Sequence, residues 1–177
     1  LHQLRAVHDR PYERHQSNDF TFSRWLVPHL CDYEGWAIFV DCDMLVLQDI
    51  SRLWALRDPR YAVQVVQHDY VPPETCKYLG NEQDAYSRKN WSSVMLMNCA
   101  RCTVLTPEYV NTASRLDLHQ FKWLADDEIG SLPKEWNYLI GYGHPLSADV
   151  ALAHFTIGGP YFDDYKDCEL SEAWNAE

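Results

Sequence analysis

The sequence contains no run of about 18 consecutive apolar residues, the length that a helix needs to cross a bilayer. Basic residues are scarce too, since 15 Lys+Arg stand against 26 Asp+Glu and give a formal net charge of −11. Proteins that grip phosphate backbones or anionic membranes need a basic stripe, so the composition argues against both classes. The opening residues also lack the charged-then-apolar pattern of a signal peptide. Together these absences predict a soluble, cytoplasmic protein without a transmembrane segment.

Internal repeats, low-complexity tracts and linkers are absent as well. With 177 residues, 46% hydrophobic and 14% aromatic, the chain is expected to form one globular domain over 1–177, in which about 166–177 is a loose acidic tail. Six irregularly spaced cysteines favour free thiols in a reducing compartment. The CxxC spacing of Cys99 and Cys102 lacks a second ligand pair and is a weak zinc signal.

The hydrophobic pattern predicts a mixed α/β fold. Helices are expected at about 20–31, 50–54 and 106–116, and strands at 36–40, 61–66, 92–98 and 150–153. The strand at 36–40 is an unbroken apolar run, which is typical of a strand buried on both faces. A loop-rich segment, long enough for an acceptor loop or lid, covers 68–90.

Two carboxylates follow the first predicted strand, in the segment Asp41-Cys42-Asp43. In open α/β sheets, ligands bind beyond the carboxyl ends of the strands. Because a carboxylate is costly to desolvate, two of them at the end of a buried strand need compensation, most simply by a hard divalent cation. In extended chain their side chains point to the same side. The competing interpretation is that both aspartates only cap the following turn and helix.

A third candidate ligand is His154, which follows a short apolar run and precedes a Gly-Gly-Pro loop. An imidazole among carboxylates favours Mn²⁺ over Ca²⁺ or a purely oxygen-liganded Mg²⁺. A single histidine is more often a surface or core residue than a ligand. The prediction of a metal site therefore depends on Asp41, Asp43 and His154 together.

These positions belong to an ordered set of motifs between about residues 20 and 160. The set comprises Arg24, Phe39-Val40-Asp41-Cys42-Asp43, Leu53-Trp54, Ser92-Ser93-Val94-Met95-Leu96-Met97-Asn98, Asp126-Asp127-Glu128, Leu132-Pro133, Trp136-Asn137 and His154-Phe155. In this order and separation the chain resembles the GT-A-fold nucleotide-sugar glycosyltransferases, and among them most closely family 8, the glycogenin and bacterial lipopolysaccharide galactosyltransferase group. The resemblance implies a Rossmann-like mixed sheet flanked by helices.

The resemblance further implies that Asp41 and Asp43 are the carboxylates of a DxD motif and that they bind Mn²⁺, or Mg²⁺, together with His154. Such a metal bridges the donor diphosphate and neutralises the charge that develops on the leaving group. The implied reaction moves a hexose from a nucleotide sugar, expected to be UDP-linked, to a glycan or lipid-linked saccharide. Retention of anomeric configuration is expected from the resemblance alone.

Other site residues are carried over from the same family. Arg24 matches an arginine placed against the donor, Ser92 and Ser93 match a small polar pair that faces the donor sugar, and Asp126 matches an acid that holds sugar hydroxyls. Asp127 stands where the family often has Gln, near the anomeric carbon. A carboxylate there can act as a covalent nucleophile, whereas Gln suggests front-face attack, and both mechanisms stay open. Without the resemblance, this acidic segment reads as a solvated turn.

The acceptor side is predicted at Trp136 and Asn137, because they lie in a Leu-Pro-x-x-Trp-Asn segment that resembles the family's acceptor loop. Aromatic ring faces suit CH-rich sugar surfaces, although core packing is also a common role for tryptophan.

Cys42, between the two aspartates, is predicted to contact the donor.

The phosphate-binding elements depart from the family pattern. Family members usually place a Lys after the metal histidine, and the loop after His154 has none. The backbone N–H groups of Gly158 and Gly159 are the expected substitute, with positive charge supplied by Arg88 or Lys89. Family members also begin with a strand that helps to hold the base and ribose. This chain has only 40 residues before its DxD motif, so that first strand and part of the base pocket are expected to be missing.

Two other functions fit parts of the pattern. A phosphohydrolase of the haloacid dehalogenase type also ends a buried strand with Asp-x-Asp, and it predicts Mg²⁺-dependent phosphatase activity that requires Asp41 but not His154. Against it, Leu45 stands where that family usually has Thr or Val. A non-catalytic nucleotide- or carbohydrate-binding module is the second alternative, and it predicts binding without turnover.

Overall fold

The computed structural model describes residues 8–10, 21–69 and 86–177. Its helices are α1 (Val27–Leu30), α2 (Ser51–Ala55), α3 (Pro107–Thr112), α4 (Arg115–His119) and α5 (Ser171–Ala176). Its strands are β1 (Trp36–Val40), β2 (Met44–Val46), β3 (Val63–Val65), β4 (Val94–Asn98), β5 (Ile129–Ser131), β6 (Tyr138–Leu139) and β7 (Leu152–His154). Short 3-10 turns lie at Ser23–Leu26, Trp91–Ser93, Cys99–Arg101, Asp126–Glu128, Lys134–Asn137 and Asp163–Tyr165.

The strands form two mixed sheets. The first has the order β1-β4-β3-β5, in which β4 is antiparallel to both neighbours and β3 is parallel to β5. The second has the order β2-β7-β6, with β7 antiparallel to β2 and parallel to β6. Mixed sheets flanked by short helices confirm the predicted α/β class. Part of the predicted loop at 68–90 lies outside the described residues.

The central strand β4 divides the core, because its alternate side chains point to opposite faces. Met95 and Met97 pack in a cluster with residues of the α1, α3 and α4 region, whereas Val94 and Leu96 pack in a second cluster with residues of α2 and β7. All four side chains are fully buried. This two-sided burial makes β4 the anchor for the 3-10 turn that precedes it.

The prediction that β1 is buried on both faces is wrong. Its residues are half-buried, and Val40 is exposed. Within the described ranges, β1 stands at the end of the strand order and pairs with β4 alone. An unbroken apolar run therefore marks an edge strand here, in which Ile38 packs towards one cluster and Phe39 towards the other.

Two predicted helices differ in detail from the structure. The first is a 3-10 turn followed by α1, and Pro28 lies in the first turn of α1, where its missing N–H costs no hydrogen bond. The second is split into α3 and α4, because Ala113 is extended at ψ 146°. Thr106 caps the first of these and Ser114 the second, each accepting a backbone N–H three residues later.

The carboxyl-terminal segment is not the loose acidic tail that its composition suggests. It contains α5, and Trp174 on that helix packs against Phe155 with ring centroids 5.1 Å apart. Tyr161 contacts the same indole at 5.4 Å. Aromatic burial thus holds this segment against the end of β7 despite its charge.

No helix among the described residues has the length and apolar character that a bilayer crossing demands. The five described cysteines are free thiols, as expected: Cys31, Cys42, Cys99, Cys102 and Cys168. Cys76 lies outside the described residues.

Candidate metal centre

The turn between β1 and β2 carries Asp41 and Asp43, and the end of β7 carries His154. The antiparallel register of β2 and β7 sets Met44 opposite His154. The pairing continues one step further, since the backbone N–H of Phe155 donates to the Asp43 carbonyl oxygen at 3.0 Å. A histidine from the last third of the chain is thereby placed beside the two aspartates.

These three side chains form a compact group of metal-ligand type. One ligand atom from each lies within 4.8 Å of the others, and His154 Nε2 stands 3.4 Å from Asp43 Oδ1. The His154 side chain is 2% exposed, whereas those of Asp41 and Asp43 are 19% and 23% exposed. Two carboxylates and one imidazole suit Mn²⁺ or Mg²⁺. The residues therefore fit the cation expected from the sequence, although 41–43 is a turn and not extended chain.

Arg24 reaches this group from the 3-10 turn before α1. Its Nη2 lies 2.7 Å from Asp41 Oδ1, and its Nη1 donates to Asp41 Oδ2 at 3.3 Å. The same guanidinium donates to the carbonyl oxygens of Ser92 and Thr21, each at 2.9 Å. Arg24, predicted to face the donor, is thus buried against the carboxylate of the DxD segment and fixes its orientation.

Replacing Arg24 by Gln is expected to destabilise the fold by about 3 kcal/mol, the lower end of the range for breaking a buried ion pair, because Asp41 keeps some contact with water. Urea unfolding at neutral pH measures the change. The matched control is Arg60→Gln, whose ion pair with Asp58 is exposed on the arginine side (76%), so solvent screens it and its loss should change the stability far less than the loss of Arg24. Equal losses in the two variants would contradict the structural role of Arg24.

The paired serines line the inner side of the same turn. Ser93 accepts the backbone N–H of Asp41 on its carbonyl oxygen at 2.9 Å. The Ser92 hydroxyl lies 3.0 Å from His119 Nδ1. Burial, and then nearby arginines, lower the pKa of His119 well below its ordinary value, so this imidazole is neutral. Both serines are 4% exposed, which makes them part of the wall behind Asp41.

Cys42 is exposed at the tip of the turn. Partial burial, and then the charges of Asp43 and Asp41, raise the pKa of its thiol. The thiol therefore stays protonated at neutral pH. Its position beside both carboxylates is compatible with the predicted donor contact.

The acidic segment at 126–128 forms a 3-10 turn that leads into β5. Asp126 is paired with Arg88 Nη2 at 2.6 Å, although its side chain is 87% exposed. Glu128 is paired with Arg101 at 3.1 Å. Asp127 is exposed, and in the described part of the chain no ion pair or hydrogen bond is recorded for its carboxylate. The three acids of this turn therefore differ in whether an arginine already engages the carboxylate.

Arg88 connects this acidic turn to the 3-10 turn that carries the paired serines. Its carbonyl oxygen accepts the backbone N–H of Trp91, the first residue of the 3-10 turn that carries the paired serines. Lys89, the other predicted source of positive charge, is buried, with its Nζ 5.5 Å from the ring centroid of Tyr86. The structure thus gives Arg88 a carboxylate partner where the sequence predicts a phosphate contact.

The predicted acceptor residues lie in the interior. Trp136 is 3% exposed and packs in the cluster that contains Leu53 and Leu152. Asn137 is fully buried, and its side chain lies 3.0 Å from His154 Nδ1. These placements correct the prediction of sugar stacking on Trp136, whose indole fills the core and has no open face.

Gly158 and Gly159 follow His154 in a buried loop. A Cβ atom on Gly158 would meet the ring of Tyr165 at 2.5 Å, and one on Gly159 would overlap the ring of Tyr161. Close aromatic packing is therefore the visible reason for both glycines. The phosphate contact predicted for their N–H groups stays a prediction.

Sequence reasoning missed two histidines near the site, His68 and His119. Burial, and then the nearby His154, Lys134 and His144, lower the pKa of His68 to about 4. The His68 carbonyl oxygen also accepts the indole N–H of Trp91 at 3.0 Å. Both histidines follow apolar residues and belong to no recognisable motif, so no sequence signal points to either.

No protein-family model matches the chain. A sequence relative is Protein CDI of Arabidopsis thaliana, which is 50% identical over 165 residues. The match covers 90% of this chain and 64% of CDI, so the chain spans less than two thirds of that relative.

Solved structures with a similar fold are glycosyltransferases of the GT-A type. GlyE of Streptococcus pneumoniae matches with a TM-score of 0.59 and 18% identity, over 88% of this chain and 42% of GlyE. An active-site mutant of LgtC matches with a TM-score of 0.63 and 15% identity, over 95% of this chain and 69% of LgtC. The bifunctional glycosyltransferase WbbM matches with a TM-score of 0.62 and 16% identity, over 94% of this chain and 35% of WbbM. The fold is therefore that of the GT-A glycosyltransferases, as the sequence predicts.

Proposed function

We propose that the chain is the catalytic part of a metal-dependent glycosyltransferase that resembles family 8 and moves a hexose from a nucleotide sugar to a saccharide acceptor. The observation that carries the proposal is the convergence of Asp41, Asp43 and His154 at one end of a GT-A sheet. In GT-A folds this end of the sheet, beyond the strand termini, is where ligands of α/β proteins bind. Two further carboxylates, those of Asp126 and Asp127, lie in the 3-10 turn that leads into β5.

The three ligands would hold Mn²⁺ or Mg²⁺, which supplies Lewis-acid neutralisation of a nucleoside diphosphate leaving group. The protein's own residues fix the ligands before any donor arrives. Arg24 holds Asp41 from behind, and the buried position of His154 leaves only the carboxylate side open to solvent. Preorganisation of this kind lowers the cost of orienting a charged group at the moment of reaction.

Residues on two sides of the site are expected to recognise the donor. Cys42 lies at the tip of the turn 41–43, Ser92 and Ser93 lie behind it, and Lys89 precedes these serines in the chain. The loop of Gly158 and Gly159 follows His154. We propose a UDP-linked hexose as donor and a glycan or lipid-linked saccharide as acceptor, with retention of configuration. LgtC, one of the structural neighbours, is a galactosyltransferase that has been solved with donor and acceptor sugar analogues.

Calorimetric titration of UDP into the purified chain, with and without Mn²⁺ and with GDP as control, tests the proposal. We expect UDP to bind only when Mn²⁺ is present. Hydrolysis of UDP-hexoses by the same preparation then separates an enzyme from a binding module, because a module would bind the nucleotide without releasing sugar. Metal-independent UDP binding, or no UDP binding at all, would contradict the proposed donor site.

The comparisons give no support to the phosphohydrolase alternative.

A further inference from the structure

A buried amide, Asn137, sits behind the imidazole of the metal centre. It ends the 3-10 turn Lys134–Asn137, which packs beside β7. One of its side-chain atoms, Oδ1, lies 3.0 Å from His154 Nδ1, and its Nδ2 donates to the carbonyl oxygen of Asn90 at 3.0 Å. Asn137 is fully buried and His154 is 2% exposed, so water has little access to either contact.

The second contact decides how the amide is turned. A backbone carbonyl oxygen only accepts hydrogen bonds, so the atom of Asn137 that faces Asn90 must be the NH₂ group. The atom that faces His154 is then the amide oxygen, which also only accepts. It follows that His154 Nδ1 must donate, and therefore carries a proton.

A proton on Nδ1 determines the state of the opposite nitrogen, Nε2. In a neutral imidazole with a proton on Nδ1, the lone pair is on Nε2, and Nε2 faces Asp43 Oδ1 at 3.4 Å. Two acceptors that face each other repel unless a proton or a metal cation lies between them. Adjacent ligands of one octahedral ion with metal–ligand distances of about 2.1 Å are about 3 Å apart, which is close to the separation observed here.

We propose that Asn137 is a positioning residue that fixes His154 in the Nδ1–H tautomer and so presents the Nε2 lone pair to a divalent cation. The tautomer assignment stands on the two hydrogen bonds alone. Only its purpose, metal binding, rests on the proposed function. The Asn90 carbonyl oxygen holds Asn137, and Asn137 in turn holds His154. Metal-ligating histidines usually have a hydrogen-bond support of this kind.

Long-range ¹H–¹⁵N correlation spectra of the metal-free chain at about pH 8, where imidazoles are predominantly neutral, test the tautomer directly. The signals of His154 are assigned by their loss in His154→Gln. We expect a pyrrole-type shift at Nδ1 and a pyridine-type shift at Nε2. The reverse pattern in the wild-type chain would overturn the proposal without any variant having to fold.

Two variants test the role of the amide. Asn137→Leu has the same number and branching of non-hydrogen side-chain atoms but no acceptor. We expect His154 in this variant to lose the pure Nδ1–H pattern, and the Mn²⁺ affinity, followed by electron paramagnetic resonance, to fall by about 10–100-fold. Asn137→Asp keeps an acceptor at Nδ1, so the Nδ1–H pattern should be rescued, although the variant loses the N–H donor that faces the Asn90 carbonyl oxygen and should be less stable. An unchanged tautomer in folded Asn137→Leu would overturn the proposal. If the wild-type chain shows the Nδ1–H pattern but binds no Mn²⁺, the positioning stands and the proposed metal function fails.

Discussion

Replacing Asp43 by Asn should abolish Mn²⁺-dependent UDP binding and lower sugar release by about 1,000-fold, because the Lewis-acid contribution of a bound metal is several kcal/mol and each 1.36 kcal/mol is a factor of ten. Asn keeps the shape of Asp43 but removes the charge that a hard cation requires. His154→Gln should give the same loss through a different ligand. Calorimetry and a sugar-release assay measure the two effects on the same samples.

The control for Asp43→Asn is Asp164→Asn, which removes one charge from an exposed position in the carboxyl-terminal segment. It should leave both the UDP affinity and the rate of sugar release unchanged. The fold of each variant is checked by its urea midpoint. If either Asp43→Asn or His154→Gln kept its Mn²⁺-dependent UDP binding while folded, the three residues would not form a metal site.

The sequence was sufficient to single out these three residues as candidate ligands, because each stands where an apolar strand ends and a turn begins. Their convergence was implied by the family resemblance, since local pattern does not reveal that β2 pairs with β7. Hydrophobic periodicity reports which residues seek the core, and it carries no information about which strand lies next to which. That is also why β1 was misjudged: its apolar run is the same whether it lies at the centre or at the edge of a sheet.

Other differences have local causes that the pattern could not reveal. A Thr-Pro start predicted one helix at 106–116, but Ser114 offers a second cap and the chain breaks at Ala113. Trp136 and Asn137 were placed on the acceptor side by motif alone. A motif fixes their neighbours in sequence, whereas burial depends on the packing of β7 and the preceding 3-10 turn. The same motif therefore places Asn137 against His154 inside the protein.

Asp127 is the carboxylate that distinguishes the two mechanisms open to the proposed reaction. Its neighbours Asp126 and Glu128 are paired with Arg88 and Arg101, whereas Asp127 is exposed, and no cation partner is recorded for it in the ranges 8–10, 21–69 and 86–177. An anion that is not engaged by a cation is the better nucleophile. We therefore expect Asp127 to act on the sugar and to have no part in holding the metal.

Replacing Asp127 by Asn is accordingly expected to reduce hexose transfer by at least about 100-fold, the lower end of the contribution of a positioned catalytic group, with Mn²⁺-dependent UDP binding retained. If its carboxylate forms a bond to the anomeric carbon as the bond to the diphosphate oxygen breaks, Asp127→Gln should be equally inactive, and mass spectrometry should detect a hexose adduct on the wild-type chain only. Glu128→Gln, which alters the neighbouring acid, should keep most of the activity. An active Asp127→Gln would instead establish front-face attack, because Gln can support the sugar but cannot form the covalent bond.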